Sequence, residues 1–150
     1  MGMFTAFDIS ASGLTAQRYR MDLISENVAN ANTTRTKDGS PYVRKVVYFE
    51  EKGVRESDTF SHVLHSVSKN YAGKGVKVAK VLEDHVTPQN MVYDPSHPDA
   101  DENGYVMYPN VNIITEMTNL IDASRSYEAN ATAFDAAKAM AQQGLNIGQS

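Results

Sequence analysis

Cysteine is absent from all 150 residues. That removes disulfides, thiolate metal sites and cysteine nucleophiles together, and it is compatible with passage into an oxidising compartment. Positive charge is in deficit, with 14 Lys and Arg against 18 Asp and Glu and a formal balance of −4. No cationic excess is available to neutralise a phosphate backbone, so nucleic acid is not expected as a partner. Long apolar runs are missing as well. No stretch approaches the roughly 18 apolar residues of a membrane span, and direct membrane insertion is not expected. The opening Met1-Gly2-Met3-Phe4-Thr5-Ala6-Phe7-Asp8 has neither a basic n-region nor an apolar h-region, from which we expect a soluble chain with no cleavable signal peptide. The length suits one domain, or one domain with long terminal elements, and excludes a large multidomain enzyme.

Proline is confined to the middle, at Pro41, Pro88, Pro95, Pro98 and Pro109. An interior proline removes a helix hydrogen bond and clashes with the preceding turn, so the proline-free ends are the segments free to form long helices. Alanine agrees: five occur before Asn32 and eight after Asp122, and alanine is the strongest helix former. The spacing predicts one helix over about 4–30, with Gly13 as either a kink or a point of close backbone approach. It predicts another starting after Pro109 on an Asn110 or Asn112 cap and stopping near Gly144 or Gly148.

Both ends carry a seven-residue apolar repeat. Phe7, Leu14, Met21 and Val28 form one series, with Met3, Ile24 and Ala31 in a companion series that Ser10 and Gln17 interrupt. At the other end Ile113, Leu120, Tyr127, Phe134 and Ala141 recur, accompanied by Met117, Ser124, Ala131, Lys138 and Leu145. Such positions fall on one stripe of a helix, the seam a partner helix covers in a coiled coil. We therefore expect Phe7, Leu14, Met21, Ile24, Val28, Ile113, Met117, Leu120, Tyr127, Phe134 and Leu145 to pack against helices of the same or a neighbouring subunit.

Between the ends, 42–49 and 75–82 are rich in β-branched and aromatic residues and read as strands. Shorter strands are expected at 91–93 and 105–108, with turns at 37–41 and Asn103-Gly104. Residues 50–73 carry no clear pattern. The expected class is α+β: long N- and C-terminal helices paired as a coiled coil, with a small β-containing middle domain. The divisions are 1–32, 33–109 and 110–150.

Candidate chemistry is sparse. Asp99, Asp101, Asn103 and Gly104 match the first half of a twelve-residue calcium loop, but the twelfth position is Asn110 rather than a bidentate Glu. A rigid Pro-Asp-Asn-Gly loop is the leading reading, and a secreted metal-dependent enzyme or calcium-binding module centred on His97, Asp99 and Asp101 the alternative. His62 and His65 read as a solvated pair. No nucleophile elbow, phosphate-binding loop or dinucleotide fingerprint is present, and we assign no catalytic residue, metal ligand or cofactor. An enzyme is not expected.

Longer words then become informative. The run Ser12-Gly13-Leu14-Thr15-Ala16-Gln17-Arg18, then Met21-Asp22, then 27–36, Asn-Val-Ala-Asn-Ala-Asn-Thr-Thr-Arg-Thr, resembles the N-terminal signature of bacterial flagellar rod and hook proteins. Asp94-Pro95-Ser96-His97-Pro98-Asp99-Ala100, Tyr108-Pro109-Asn110-Val111-Asn112, Glu116-Met117 and Ser124-Arg125-Ser126-Tyr127-Glu128-Ala129-Asn130 narrow the resemblance to the proximal rod. A distal rod or hook component is the nearest alternative. The resemblance implies a structural subunit of the basal-body rod, exported through the flagellar type III apparatus to the periplasm. It implies polymerisation with itself and other rod proteins through terminal helices, so that motor torque is transmitted. It also places Asn27, Ala29, Asn30 and Thr33 in the turn that ends the first helix, and Tyr127, Glu128, Ala129 and Asn130 in the helical signature near the other end.

Overall fold

A computed structural model describes residues 3–52 and 74–147; most of the patternless 50–73, with His62 and His65, lies outside the described residues. Helix α1 spans Met3–Ala29 and helix α2 spans Ile113–Ile147, with strands β1 (Lys45–Glu51), β2 (Val76–Glu83), β3 (Asn90–Tyr93) and β4 (Tyr105–Tyr108) between them. The class is α+β. The strands form two pairs, β1 with β2 and β3 with β4. Lys52 N donates to Gly75 O at 2.8 Å and Asp84 N to Arg44 O at 2.7 Å, so β1 and β2 run in opposite senses. In the antiparallel β3–β4 ribbon Met91 faces Met107 and Tyr93 faces Tyr105.

Local chemistry explains the boundaries. Asn112 Oδ1 accepts from the amides of Ile114 and Thr115, which makes it the cap of α2. Gly144 does not stop the helix: α2 continues through it to Ile147, since a glycine inside a helix costs only about 1 kcal/mol relative to alanine. β1 begins three residues later than the pattern suggests. The amides of Tyr42, Arg44 and Lys45 donate to Thr33 O, Asn110 Oδ1 and Asn27 Oδ1, so three of the four amides from 42 to 45 bond to loop and side-chain oxygens. The ribbon turn closes on Gly104 at φ +79°, where a Cβ would also press on Tyr93 and Pro95.

The chain forms two compact units, one of Met1–Arg18, Phe49–Ala79 and Arg125–Ser150, the other of Tyr19–Tyr48 and Lys80–Ser124. In the first, α1 and α2 meet through small and aromatic residues. Phe7 and Phe134 pack edge to face with ring centroids 5.0 Å apart, and Ser10, Ala16 and Ala137 are buried. In the second, Ala31, Tyr42 and Val111 form an apolar cluster, and Leu23, Ile24, Val106 and Ala123 are also buried.

The seam differs from the apolar count in an informative way. On α1 the interrupted series Ser10, Gln17 and Ile24, continued by Ala31 in the turn that follows, is the deeper one, with Ser10, Ile24 and Ala31 buried and Gln17 half-buried, while Phe7, Leu14, Met21 and Val28 are all half-buried. On α2 the inward series is Glu116, Ala123, Asn130 and Ala137, beside half-buried Leu120 and Phe134. The companion positions Met117 and Leu145 are exposed, as is Ile113. Small and polar side chains let two backbones approach, so these seams select for size before hydrophobicity.

Gly13 marks the closest approach. A Cβ there would stand 2.6 Å from Asn130 Oδ1, while Asn130 Nδ2 is held by Ser126 O at 2.8 Å. Of the two readings of Gly13, close approach is the one realised in an unbroken helix. Gly13→Ala should therefore lower stability by about 1 kcal/mol, overpacking outweighing the gain in helix propensity. In an Asn130→Ala background the same substitution should become neutral or stabilising. Urea denaturation of the four variants measures the cycle, and an unchanged sign in both backgrounds would refute the contact.

Candidate functional site: a polar clamp and exposed apolar surfaces

Asn27 sits in the last turn of α1 and is 1% exposed. A buried amide must find partners for two donors and an acceptor, and Asn27 finds them on the chain that follows. Its Nδ2 donates to Lys45 O at 2.9 Å, and its Oδ1 accepts from Lys45 N at 2.9 Å, so one side chain bonds both backbone groups of the first β1 residue. The same Oδ1 accepts from the Tyr42 hydroxyl at 2.8 Å, and Nδ2 also reaches Glu116 Oε2 at 3.2 Å.

Glu116, in the first turn of α2, is likewise 1% exposed. A buried carboxylate needs a cation and hydrogen bonds to offset its desolvation. Arg44 supplies both: its Nε and Nη2 each lie 2.8 Å from Glu116 Oε1, and its Nη1 lies 3.4 Å from Asp84 Oδ2. Asn110 closes the set by accepting from Arg44 N and donating to Asp84 O and Thr87 O. The end of α1, both strands of the first pair and the start of α2 thus converge on one polar clamp.

Electrostatics follow from this packing. The Tyr42 hydroxyl is pushed up to about 12, chiefly by burial and then by the carboxylates of Glu26, Glu83 and Glu116. Asp84 is held below the usual carboxylate range, first by the Thr87 hydroxyl and amide, with Arg44 a smaller contribution. A lowered carboxylate contributes stability that is present above its unfolded value and lost as pH falls through its folded one. Asp84 therefore favours the folded state at neutral pH and weakens it on acidification. A raised tyrosine acts at the other end, its contribution present below the ordinary tyrosine value and lost as pH climbs towards 12.

The 94–104 loop is organised by its own side chains. Asp94 Oδ1 accepts from the Ser96 amide and hydroxyl, Asp101 Oδ1 from the amides of Asn103 and Tyr105, and Asp99 Oδ2 from the Thr34 hydroxyl at 2.8 Å. Arg35 lies 3.6 Å from Asp99, and His97 Nδ1 accepts from the Asp99 amide. Among the described residues no cluster of three or more potential ligands could hold a metal ion, and no helix is long and apolar enough to cross a membrane.

The remaining expected residues divide by exposure. Asn30 and Thr33 lie in the turn that follows α1, where the Thr33 hydroxyl donates to Asn30 Oδ1 and Asn30 Nδ2 to Glu26 O; Ala29 is exposed. Tyr127, Glu128 and Ala129 are exposed on α2, while Asn130 meets Gly13. Sequence reasoning singled out Asn27 without its role, and it missed Arg44, Asp84 and Tyr42 as partners. Glu116, at the head of the small-residue series on α2, was the available signal.

Comparison with known proteins decides the family. The family model described as flagella basal body rod protein matches residues 7–37, and the one described as flagellar basal body rod FlgEFG protein C-terminal matches 102–147. The flagellar basal-body rod protein FlgC of Bacillus subtilis (strain 168) is 46% identical over 99% of this chain and 100% of its own length. The chain belongs to the FlgC family of flagellar basal-body rod proteins. FlgC of Borreliella burgdorferi is 42% identical over 98% of both chains, and that of Salmonella typhimurium 38% over 99% of this chain and 100% of its own. This FlgC-family chain is a structural subunit of the bacterial flagellar basal-body rod, and the basal body is where it resides.

Two measurements test the clamp. Tyrosine absorbance should show one group titrating near 12, absent in Tyr42→Phe. Asn27→Ala and Asn27→Asp should each cost at least about 2 kcal/mol in urea denaturation, because both lose the amide donor. A wild-type midpoint for Asn27→Asp would remove the clamp from the account.

Proposed function

We propose that this chain is a proximal-rod subunit that crosses the inner membrane through the flagellar type III apparatus. It then polymerises in the periplasm with itself and with other rod proteins. Its terminal helices form the inner, load-bearing layer and the β-containing middle the outer one. Its product is mechanical continuity for motor torque, with no bond made or broken and no nucleic acid bound.

The observation that carries this reading is the surface of α2. Beyond the residues that face α1, it leaves Ile113, Ile114, Met117, Ile121, Met140, Leu145 and Ile147 exposed at 43–78% of their area. Large apolar side chains repeated along one helix mark a surface that another protein covers. Unlike patches meeting head to tail build an open helical array, and many repeated contacts give stiffness against torsion.

Loss of the gene should abolish motility and arrest basal-body assembly before the distal rod. Met117→Asp, at an exposed position, should fold and be exported yet fail to enter the rod, whereas Phe134→Asp should also lose stability because Phe134 packs on Phe7. Motile cells with normal basal bodies carrying Met117→Asp would overturn the packing role.

A further inference from the structure

Two short loops of the chain are built alike. In one, Gly39 N donates to Thr36 O at 3.0 Å and Thr36 N to Ser40 O at 2.8 Å; in the other, Gly104 N donates to Asp101 O at 3.0 Å and Asp101 N to Tyr105 O at 2.9 Å. Each closes on a glycine at φ +79°. The residue before that glycine is Asp38 in the first loop and Asn103 in the second. An asparagine followed by glycine is open to attack by the next main-chain nitrogen, because glycine has no Cβ to obstruct ring closure. Asn103 is exposed, so water reaches its side chain.

The surroundings of the two glycines differ. Gly39 is exposed, and among the described residues a Cβ on it would meet nothing within 4 Å. Gly104 is buried against Tyr93 and Pro95, which a Cβ would approach to 3.0 and 3.2 Å. The corner residues differ too. Asp101 Oδ1 accepts from the amides of Asn103 at 2.9 Å and Tyr105 at 2.8 Å, one on each side of Gly104. Thr36 instead presents a hydroxyl that donates to Ser40 O at 2.9 Å. Asp101 thus holds the main chain on both sides of the attacking nitrogen, which Thr36 has no carboxylate to do.

We propose that Asn103-Gly104 is a deamidation site that the folded ribbon keeps silent and the unfolded chain leaves open. In the reaction Gly104 N bonds to Asn103 Cγ, the Cγ–Nδ2 bond breaks, and Nδ2 leaves as ammonia with the Gly104 amide proton. Water then opens the cyclic imide, at Cγ to give aspartate or at the Asn103 main-chain carbonyl to give isoaspartate. Water enters, ammonia leaves, and nothing is oxidised or reduced. In the folded chain Gly104 N must first give up its bond to Asp101 O and turn away from Tyr93 and Pro95, so the rate follows local opening of the turn. Isoaspartate routes the main chain through one extra methylene, and the turn no longer fits the register that sets Tyr93 opposite Tyr105. The site therefore separates chains by history. Folded copies keep the amide, whereas copies left unfolded gain a negative charge and, as isoaspartate, a turn of the wrong length. The inference depends on the ribbon turn and not on the rod reading.

Peptide mapping by mass spectrometry tests it on the full chain, held at one pH and temperature in buffer and in urea, by following the replacement of NH by O at residue 103. We expect conversion at least about tenfold slower in buffer than in urea. A chain carrying Asp38→Asn holds asparagine-glycine pairs in both loops of one folded molecule, and the introduced pair should convert at least about tenfold faster than Asn103-Gly104. Asp101→Ala should speed conversion at residue 103 by about tenfold in buffer and leave the urea rate unchanged. Asp101→Asn, which keeps an acceptor oxygen, should restore protection. The proposal is overturned if Asn103 fails to convert in urea or converts as fast in buffer, if the introduced pair is no faster than Asn103 in the folded chain, or if Asp101→Ala has no effect. The comparison of two pairs within one folded molecule decides the matter even where Asp101→Ala loosens the whole chain.

Discussion

The structure depends on one buried amide. Asn27 ends the first helix by bonding both backbone groups of Lys45, and in doing so replaces a strand partner with a side chain. Nothing apolar could do this, because the Lys45 amide and carbonyl would be left without partners in a water-poor site. With Asn27 fixed, Tyr42 and Glu116 have a common point of attachment, and Arg44 is drawn onto Glu116.

This polar hub is geometric in effect. Buried ion pairs add little net stability compared with a well-packed apolar alternative, but their partners must meet in one arrangement. A helix seam of alanines, serines and a glycine tolerates sliding far better than one of interlocking leucines. The clamp and the Gly13–Asn130 contact restrict that freedom at two points along α1, each within its own compact unit. A rod subunit has reason to define its register this way, since an error in one copy would be repeated along the assembly.

The same economy appears on the surface. Loop 94–104 spends its aspartates on its own amides and on Thr34 and Arg35, so carboxylates that resemble half of a calcium site act as turn caps. The exposed surface also carries large apolar side chains, on the outer face of the β3–β4 ribbon and along the Ile114–Ile121 stripe. These are surfaces of a component made to be surrounded by others.

Proline placement and alanine content determined that two long helices flank a β-containing middle, because those effects are local and each residue exerts them on its own neighbours. The turns at Gly39 and Gly104 and the family itself were legible for the same reason, and the α2 cap only as one of two asparagines, Asn110 or Asn112. The inward face of the helices was not. Counting hydrophobic positions picked out Met117 and Leu145, which are exposed in the single chain, while Ala123, Asn130 and Ala137 turn inward, since space between two backbones is a property of the pair. The clamp was equally beyond reach. Asn27 and Glu116 are 89 positions apart, and only folding could bring a buried amide and carboxylate together with a partly exposed guanidinium so that each satisfies the others.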